Sequence, residues 1–270
     1  MEQRVSISIA DGVADVRLVR AAKMNALDAA MFEALVAATE RLAHEKGVRA
    51  VVLSGEGRAF CAGLDMGRFA AMKGGGNGVA GGEKRDLSAR THGQANFPQQ
   101  AVWGWRQLPV PVIAAIQGVA FGGGFQLALG ADMRFLTPDA RMSIMEIKWG
   151  LVPDMAGTPI LASLVRDDIL RELTYTGRIF SAQEAMSYGL ATRICDDPHA
   201  AAMELAREIA GKSPDAIRAC KRMLNRLSVD PGPALLAESV EQQKLLGSPN
   251  QTEAVRANME KRAPRFAEAR

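Results

Sequence analysis

Cysteine is scarce in this 270-residue sequence: only Cys61, Cys195 and Cys220 are present. Three scattered thiols cannot build a disulfide framework, and they suit a reducing compartment. Long apolar runs are also missing, so no segment reads as a membrane span. His44, His92 and His199 have no metal-ligand spacing with one another, so no metal site is expected. No basic stretch is interleaved with aromatics, and the net charge is +3, which argues against a dedicated nucleic-acid binder. A modest basic patch facing an anionic ligand remains compatible with that balance. No Gly-x-Ser-x-Gly elbow exists. Gly211-Lys-Ser213 lacks the upstream glycine of a phosphate loop, where Ala206 stands instead. The first residues, Met-Glu-Gln-Arg-Val-Ser-Ile, show no charged-then-apolar signal, and Ala-Glu-Ala-Arg at the other end is no peroxisomal address. A cytoplasmic protein is the expectation.

What is present is a repeated plan. Val112 to Ile116 reads as a buried strand; Gly122, Gly123 and Gly124 follow, then an apolar segment, Phe125 to Leu129, at helical spacing. Three glycines opening a helix leave backbone N–H groups uncovered, with the positive end of the helix dipole behind them. Such a turn can donate to a developing oxyanion. It can equally be a tight strand-to-helix turn that needs glycine for backbone reasons alone. Val51 to Asp65 repeats the plan: apolar strand, polar turn, Ala59-Phe60, then small residues, with Ala120-Phe121 in the matching place. Two such turns can each aim one N–H at the same carbonyl oxygen.

Five segments in order then carry a specific resemblance. They are Lys23-Met-Asn-Ala-Leu27, Ala59-Phe-Cys-Ala-Gly-Leu-Asp65, Ile116-Gln-Gly-Val-Ala-Phe-Gly-Gly-Gly124, Gly150-Leu-Val-Pro-Asp154 and Thr176-Gly-Arg-Ile-Phe-Ser-Ala-Gln-Glu-Ala185. The chain resembles the crotonase superfamily of acyl-coenzyme A enzymes, which includes enoyl-CoA hydratases and isomerases. The resemblance implies an α/β fold, a crotonase-like spiral of ββα units over residues 1–198 that carries the acyl-CoA site. Residues 199–270 would form a C-terminal helical oligomerisation module. It also implies homotrimers or dimers of trimers, and a coenzyme A thioester as substrate with no permanently bound cofactor. By resemblance, the backbone N–H groups of Leu64 and Gly123 form the oxyanion hole. Lys23, Met24 and Ala26 line the nucleotide end; Ala62, Asp65 and Met66 flank adenine and pantetheine; Phe121 and Gly122 complete the substrate-binding positions. Cys61, inside one turn, reads as a small buried thiol because no histidine lies near it in sequence.

An enolate needs a base. Many crotonases use two carboxylates, and the positions that match here hold Gln126 and Glu146. Gln126 lies one helical turn past Gly123 and is expected to face the same site. An amide can orient water or substrate but cannot exchange a proton at neutral pH. Ordinary hydration is therefore disfavoured. Asp154 lies eight residues after Glu146, and dienoyl-CoA isomerases of the family use an acid pair with this offset. The competing reading of Asp154 is a cap for a helix starting near Met155; that of Glu146 is a surface carboxylate ending a strand, Met142 to Met145. Related dehalogenases place an aromatic where this chain has Glu146, which disfavours dehalogenation. A catalytically silent acyl-CoA-binding oligomer is the alternative outside enzymology. RNA binding, reported for some family members, draws no support from the charge.

The remaining pattern predicts a hairpin around Asp11-Gly12 and a helix from Asp28 to Gly47. Further helices are predicted at Gln99–Leu108, after the Ser181/Glu184 capping box, and over four segments from Ala200 to Arg262, one starting at Asn250. The Gly-rich run at 73–82 formally matches a dinucleotide pattern, but no strand precedes it, so it reads as a surface loop.

Overall fold

The computed structural model describes residues 3–67, 86–225 and 232–265; the Gly-rich run at 73–82 lies outside them. Strands β1 (Val5–Ala10) and β2 (Val13–Leu18) form the antiparallel hairpin, with Asp11 and Gly12 both at positive φ. Helix α1 (Ala29–His44) is capped by Asp28, which accepts from the Met31 N–H at 2.8 Å. It ends at His44 rather than Gly47, because Glu45 is already extended. Strand β3 (Ala50–Gly55), helix α2 (Phe97–Gln107), strands β4 (Val112–Ile116) and β5 (Val119–Phe121), and helix α3 (Gly123–Leu129) follow. Helix α2 starts two residues early because Asn96 and Gln99 form a capping box with Pro98 in the first turn.

Next come β6 (Met133–Leu136), β7 (Arg141–Ser143), α4 (Gly157–Leu161), α5 (Asp167–Thr176), β8 (Phe180–Ser181), α6 (Ala182–Ser187) and β9 (Arg193–Ile194). Helices α7 (Pro198–Ala210), α8 (Pro214–Asn225), α9 (Gly232–Leu245) and α10 (Pro249–Glu260) complete the order. The expected capping box at Ser181 and Glu184 opens α6. Helix α10 is capped by Ser248 with Pro249 in its first turn, not by Asn250.

The main sheet runs β1-β2-β3-β4-β6-β9, parallel from β2 onward; β5, β7 and β8 form a smaller sheet. Alternation splits the buried strands between two cores. Val51, Leu53, Val112, Ala114 and Ile116 face α1 and α2. Ala50, Val52, Ile113, Ala115 and Phe135 face α7, which meets them with Ala202, Ala206 and Ala210. Burial on both faces explains why β3 and β4 read as continuous apolar runs. The alanine stripe lets α7 sit close to the sheet, and truncating Phe135 there to alanine costs about 3–5 kcal/mol. Among the described residues, no helix is long and apolar enough to cross a membrane.

Candidate active site

The two repeated turns lie side by side. Cys61 pairs with Ala120 in a parallel bridge: the Cys61 N–H donates to Val119 O at 3.1 Å and the Phe121 N–H to Cys61 O at 3.1 Å. Gly63 sits at φ +88°, and a Cβ there would lie 2.5 Å from the Phe121 carbonyl oxygen and 3.8 Å from the Gly123 nitrogen. Only glycine permits this approach. A third segment is stitched to the first turn. The Leu27 N–H donates to Gly63 O at 2.8 Å, the Asp65 N–H to Leu27 O at 3.1 Å, and the Ala62 N–H to Met24 O at 2.9 Å. Asn25, buried and left-handed, donates through Nδ2 to the carbonyls of Glu56 and Ala59 and accepts from the Arg20 N–H. That is the physical content of the Lys23-Met-Asn-Ala-Leu27 segment.

Leu64 and Gly123 come out of this lattice with N–H groups that have no acceptor among the described residues. Both line one cavity of about 560 Å³. The Cys61 thiol beneath it is pushed up to about 12 by burial and donates to Asn25 O at 3.1 Å, so it is no nucleophile. Every position singled out from the sequence lines the cavity except Gln126. Lys23 and Arg58 bring positive charge to its wall, while Met145, Trp149, Leu151 and Met155 make the part near Glu146 apolar. Asp65 lies below the ordinary carboxylate range. Partial burial works against that, but the Arg20 guanidinium at 2.5 Å and the Gly67 N–H outweigh it.

Glu146 is not at a strand end. It opens a 3-10 turn, Glu146–Trp149, and a Cβ on Gly122 would lie 3.4 Å from its Oε1. It is 8% exposed, and burial pushes its pKa up to about 7, against the opposing pull of its backbone and Gln126 hydrogen bonds. Gln126 lies behind it, 1% exposed. Its Oε1 accepts the Met155 N–H at 2.9 Å and the Gly157 N–H at 3.0 Å, so its amide nitrogen must be the atom that donates to Glu146 Oε1, at 2.6 Å. Gln126 thus reaches the cavity only through Glu146.

Asp154 does not cap a helix. Ala156 intervenes at φ +66°, and α4 begins at Gly157 with no side-chain cap. Asp154 is 5% exposed and its pKa is raised well above the usual value, first by burial, then by the charges of Glu238 and Glu146. Glu146 Oε2 and Asp154 Oδ2 are both buried without a hydrogen-bond partner among the described residues. The sequence reading missed Gln242, which lines the cavity and accepts the Val152 N–H at 3.1 Å, and Glu238 behind it. The one signal was that α9 lacks a clean apolar stripe: Glu238, Ser239 and Gln242 are polar yet buried. Among the described residues, no group of His, Cys, Asp and Glu side chains is arranged to hold a metal ion.

Comparison with known proteins identifies the family. The family model described as enoyl-CoA hydratase/isomerase matches residues 8–269. The carnitinyl-CoA dehydratase of Proteus mirabilis is 33% identical over 274 residues, 98% of this chain and 99% of its own length. A peroxisomal Delta(3,5)-Delta(2,4)-dienoyl-CoA isomerase of Arabidopsis thaliana is 32% identical, covering 92% of this chain and 90% of that protein. A crystal structure of an enoyl-CoA hydratase/isomerase from Pseudoalteromonas atlantica superposes with a TM-score of 0.83 at 28% identity, covering 98% of this chain and all of that one. The fold and the paired turns define a crotonase-type enzyme. The chain belongs to the enoyl-CoA hydratase/isomerase family.

Proposed function

We propose that the protein isomerises a double bond in an acyl-coenzyme A thioester by proton transfer through an enolate. The observation that carries this reading is the pairing of chemistries in one cavity. Glu146 and Asp154 are both buried carboxyls lining it, and the third position, Gln126, is an amide locked with its nitrogen toward Glu146. The thioester carbonyl oxygen accepts from Leu64 and Gly123; one such donor is typically worth roughly 3–4 kcal/mol in the transition state. Glu146 Oε2 removes a proton from carbon; the C–H electron pair passes into the enolate and charge collects on the oxygen. Collapse of the enolate moves the double bond, and the distal carbon takes the Asp154 proton. The two carboxyls then reset by exchanging one proton. The apolar wall of Met145, Trp149, Leu151 and Met155 suits an uncharged acyl chain, and Lys23 and Arg58 suit the anionic coenzyme.

Water addition is the second reading, favoured by the unpartnered Glu146 Oε2 and by the dehydratase among the relatives. Turnover of 2-enoyl, 3-enoyl and 3,5-dienoyl thioesters with deuterium wash-in separates the two. We expect isomerisation with label entering at the shifted carbon. Efficient hydration without isomerisation overturns the first reading, and binding without turnover leaves a silent acyl-CoA-binding protein.

By the same reading the protein works in the cytoplasm as a homotrimer or a dimer of trimers, with residues 199–270 as the assembly module. Within that module the exposed apolar side chains Met223, Leu224 and Met259 are the kind of surface that assembly covers. A monomer at micromolar concentration in light scattering contradicts it.

A further inference from the structure

The turn that carries Asp154 is held almost entirely by side chains from elsewhere in the chain. The Val152 N–H goes to Gln242 Oε1; the Met155 and Gly157 N–H groups go to Gln126 Oε1. The Ala156 N–H donates to Glu238 Oε2 at 3.0 Å and the Thr158 N–H to Glu238 Oε1 at 2.7 Å. Glu238 Oε2 also accepts from Gln99 Nε2 at 3.1 Å. Gln99 is fixed in turn: its Oε1 accepts from Arg90 and from the Asn96 N–H, which leaves its nitrogen for Glu238 and Leu235 O. A carboxylate at 238 therefore receives three N–H donors and needs no proton of its own to satisfy the site.

We propose that Glu238 is a positioning residue for the acid of the proton shuttle: it fastens the Asp154 turn to α9 and sets a negative charge behind that carboxyl. This rests on the reading of Asp154 as a proton carrier. The charged groups facing Asp154 are Glu238 and Glu146, and the one facing Glu238 from the segment before α2 is Arg90. Burial pushes Glu238 itself up to about 7; once it ionises, its charge adds to burial in holding the proton on Asp154, while it is not among the causes that shift Glu146. The site then holds a base and an acid at the same pH, although both groups are carboxyls. Helix α9 is thus part of the reaction machinery through Asp154, without touching substrate at Glu238.

The test is Glu238→Gln in the full chain, followed through the pH profile of isomerisation. The glutamine removes the charge and turns one acceptor into a donor that faces a backbone N–H. The descending limb, set by Asp154, is expected to move to lower pH while the ascending limb, set by Glu146, stays. The maximal kcat is expected to fall on the order of 10²-fold with KM little changed. A descending limb that does not move overturns the proposal. Should the variant fail to fold, the wild type decides it. Infrared titration, with the Asp154 band assigned by Asp154→Asn, must show the protonated Asp154 carboxyl outlasting that of Glu146 as pH rises. The reverse order overturns the proposal. Full activity of Asp154→Asn removes the shuttle reading instead, and does so whichever way the infrared order falls.

Discussion

Gln126 and Glu146 meet through a 2.6 Å hydrogen bond whose direction is fixed by the two backbone N–H groups that occupy the amide oxygen. The bond favours ionised Glu146, against the burial that favours its protonated form. It also leaves Oε1 engaged and Oε2 without a hydrogen-bond partner among the described residues.

Replacing the amide by a carboxyl tests that arrangement. In Gln126→Glu, one carboxyl oxygen still accepts from Met155 and Gly157, and the other meets Glu146 Oε1, so one proton must be shared between them. The ascending limb of the pH profile should move to higher pH. Water addition to a 2-enoyl thioester should appear, because the second carboxyl can then handle a proton. A variant that shows neither change rules out Gln126 as the feature that suppresses hydration.

Glu146→Gln should lower kcat by roughly 10²–10⁴-fold, the usual cost of losing a positioned base. Acyl-CoA should still raise the melting temperature, since the proposed oxyanion donors are backbone groups of Leu64 and Gly123. Melting curves with and without ligand, alongside turnover, separate the two effects. Full activity in this variant removes the mechanism.

Stability should fall as pH rises from about 5 to about 8. Glu146 and Glu238 are both pushed up to about 7, and Asp154 is raised as well, each chiefly by burial. A carboxyl with a raised folded pKa favours folding fully below its unfolded value, and that contribution is lost as pH climbs through the folded one. Asp15, Asp28 and Asp65 are lowered, so their contribution is lost only on acidification below that range. Asp154→Asn should flatten the slope and stabilise the protein at pH 8 relative to wild type, while turnover is lost. Thermal unfolding across pH checks this; a wild type equally stable at pH 5 and pH 8 contradicts it.

Gly63→Ala should uncouple the two turns. At φ +88° an alanine is strained, and its Cβ meets the Phe121 carbonyl oxygen, a backbone atom that cannot swing away. A loss of about 1–3 kcal/mol in stability is expected from the strain alone. Turnover should fall further than acyl-CoA binding, because the two N–H donors no longer converge. Gly123→Ala differs: its Cβ meets Met155 Sδ and Leu27 Cδ1, side-chain ends that can move, so its stability cost should be smaller. Equal effects of the two substitutions on stability contradict the assignment of Gly63 as the hinge of the approach.

The two paired turns were legible because their requirements are local. Gly63, Gly122 and the Ala-Phe steps encode backbone geometry within a few residues, and so does Asn25 in its left-handed turn. Asp154 was legible as a residue but not as a role, since Pro153-Asp154 mimics a helix start and only Ala156 at positive φ breaks the pattern. Glu238 and Gln242 were not legible: their partners, Thr158 and Val152, lie 80 and 90 residues away. Gln126 was expected to face the cavity from helical spacing, and that spacing cannot tell which of two buried neighbours, the cavity or Glu146, receives the side chain.

The suspension of the Asp154 turn from Glu238 and Gln242 also sets an order in time. A chain emerging from the ribosome has both paired turns and Glu146 in hand long before α9 exists. Until residue 242 is out, the Val152, Ala156 and Thr158 N–H groups lack their side-chain acceptors, and of these anchors only Gln126 holds the Asp154 turn. On the proposed mechanism, return of a proton by Asp154 therefore begins only with the nearly finished polypeptide.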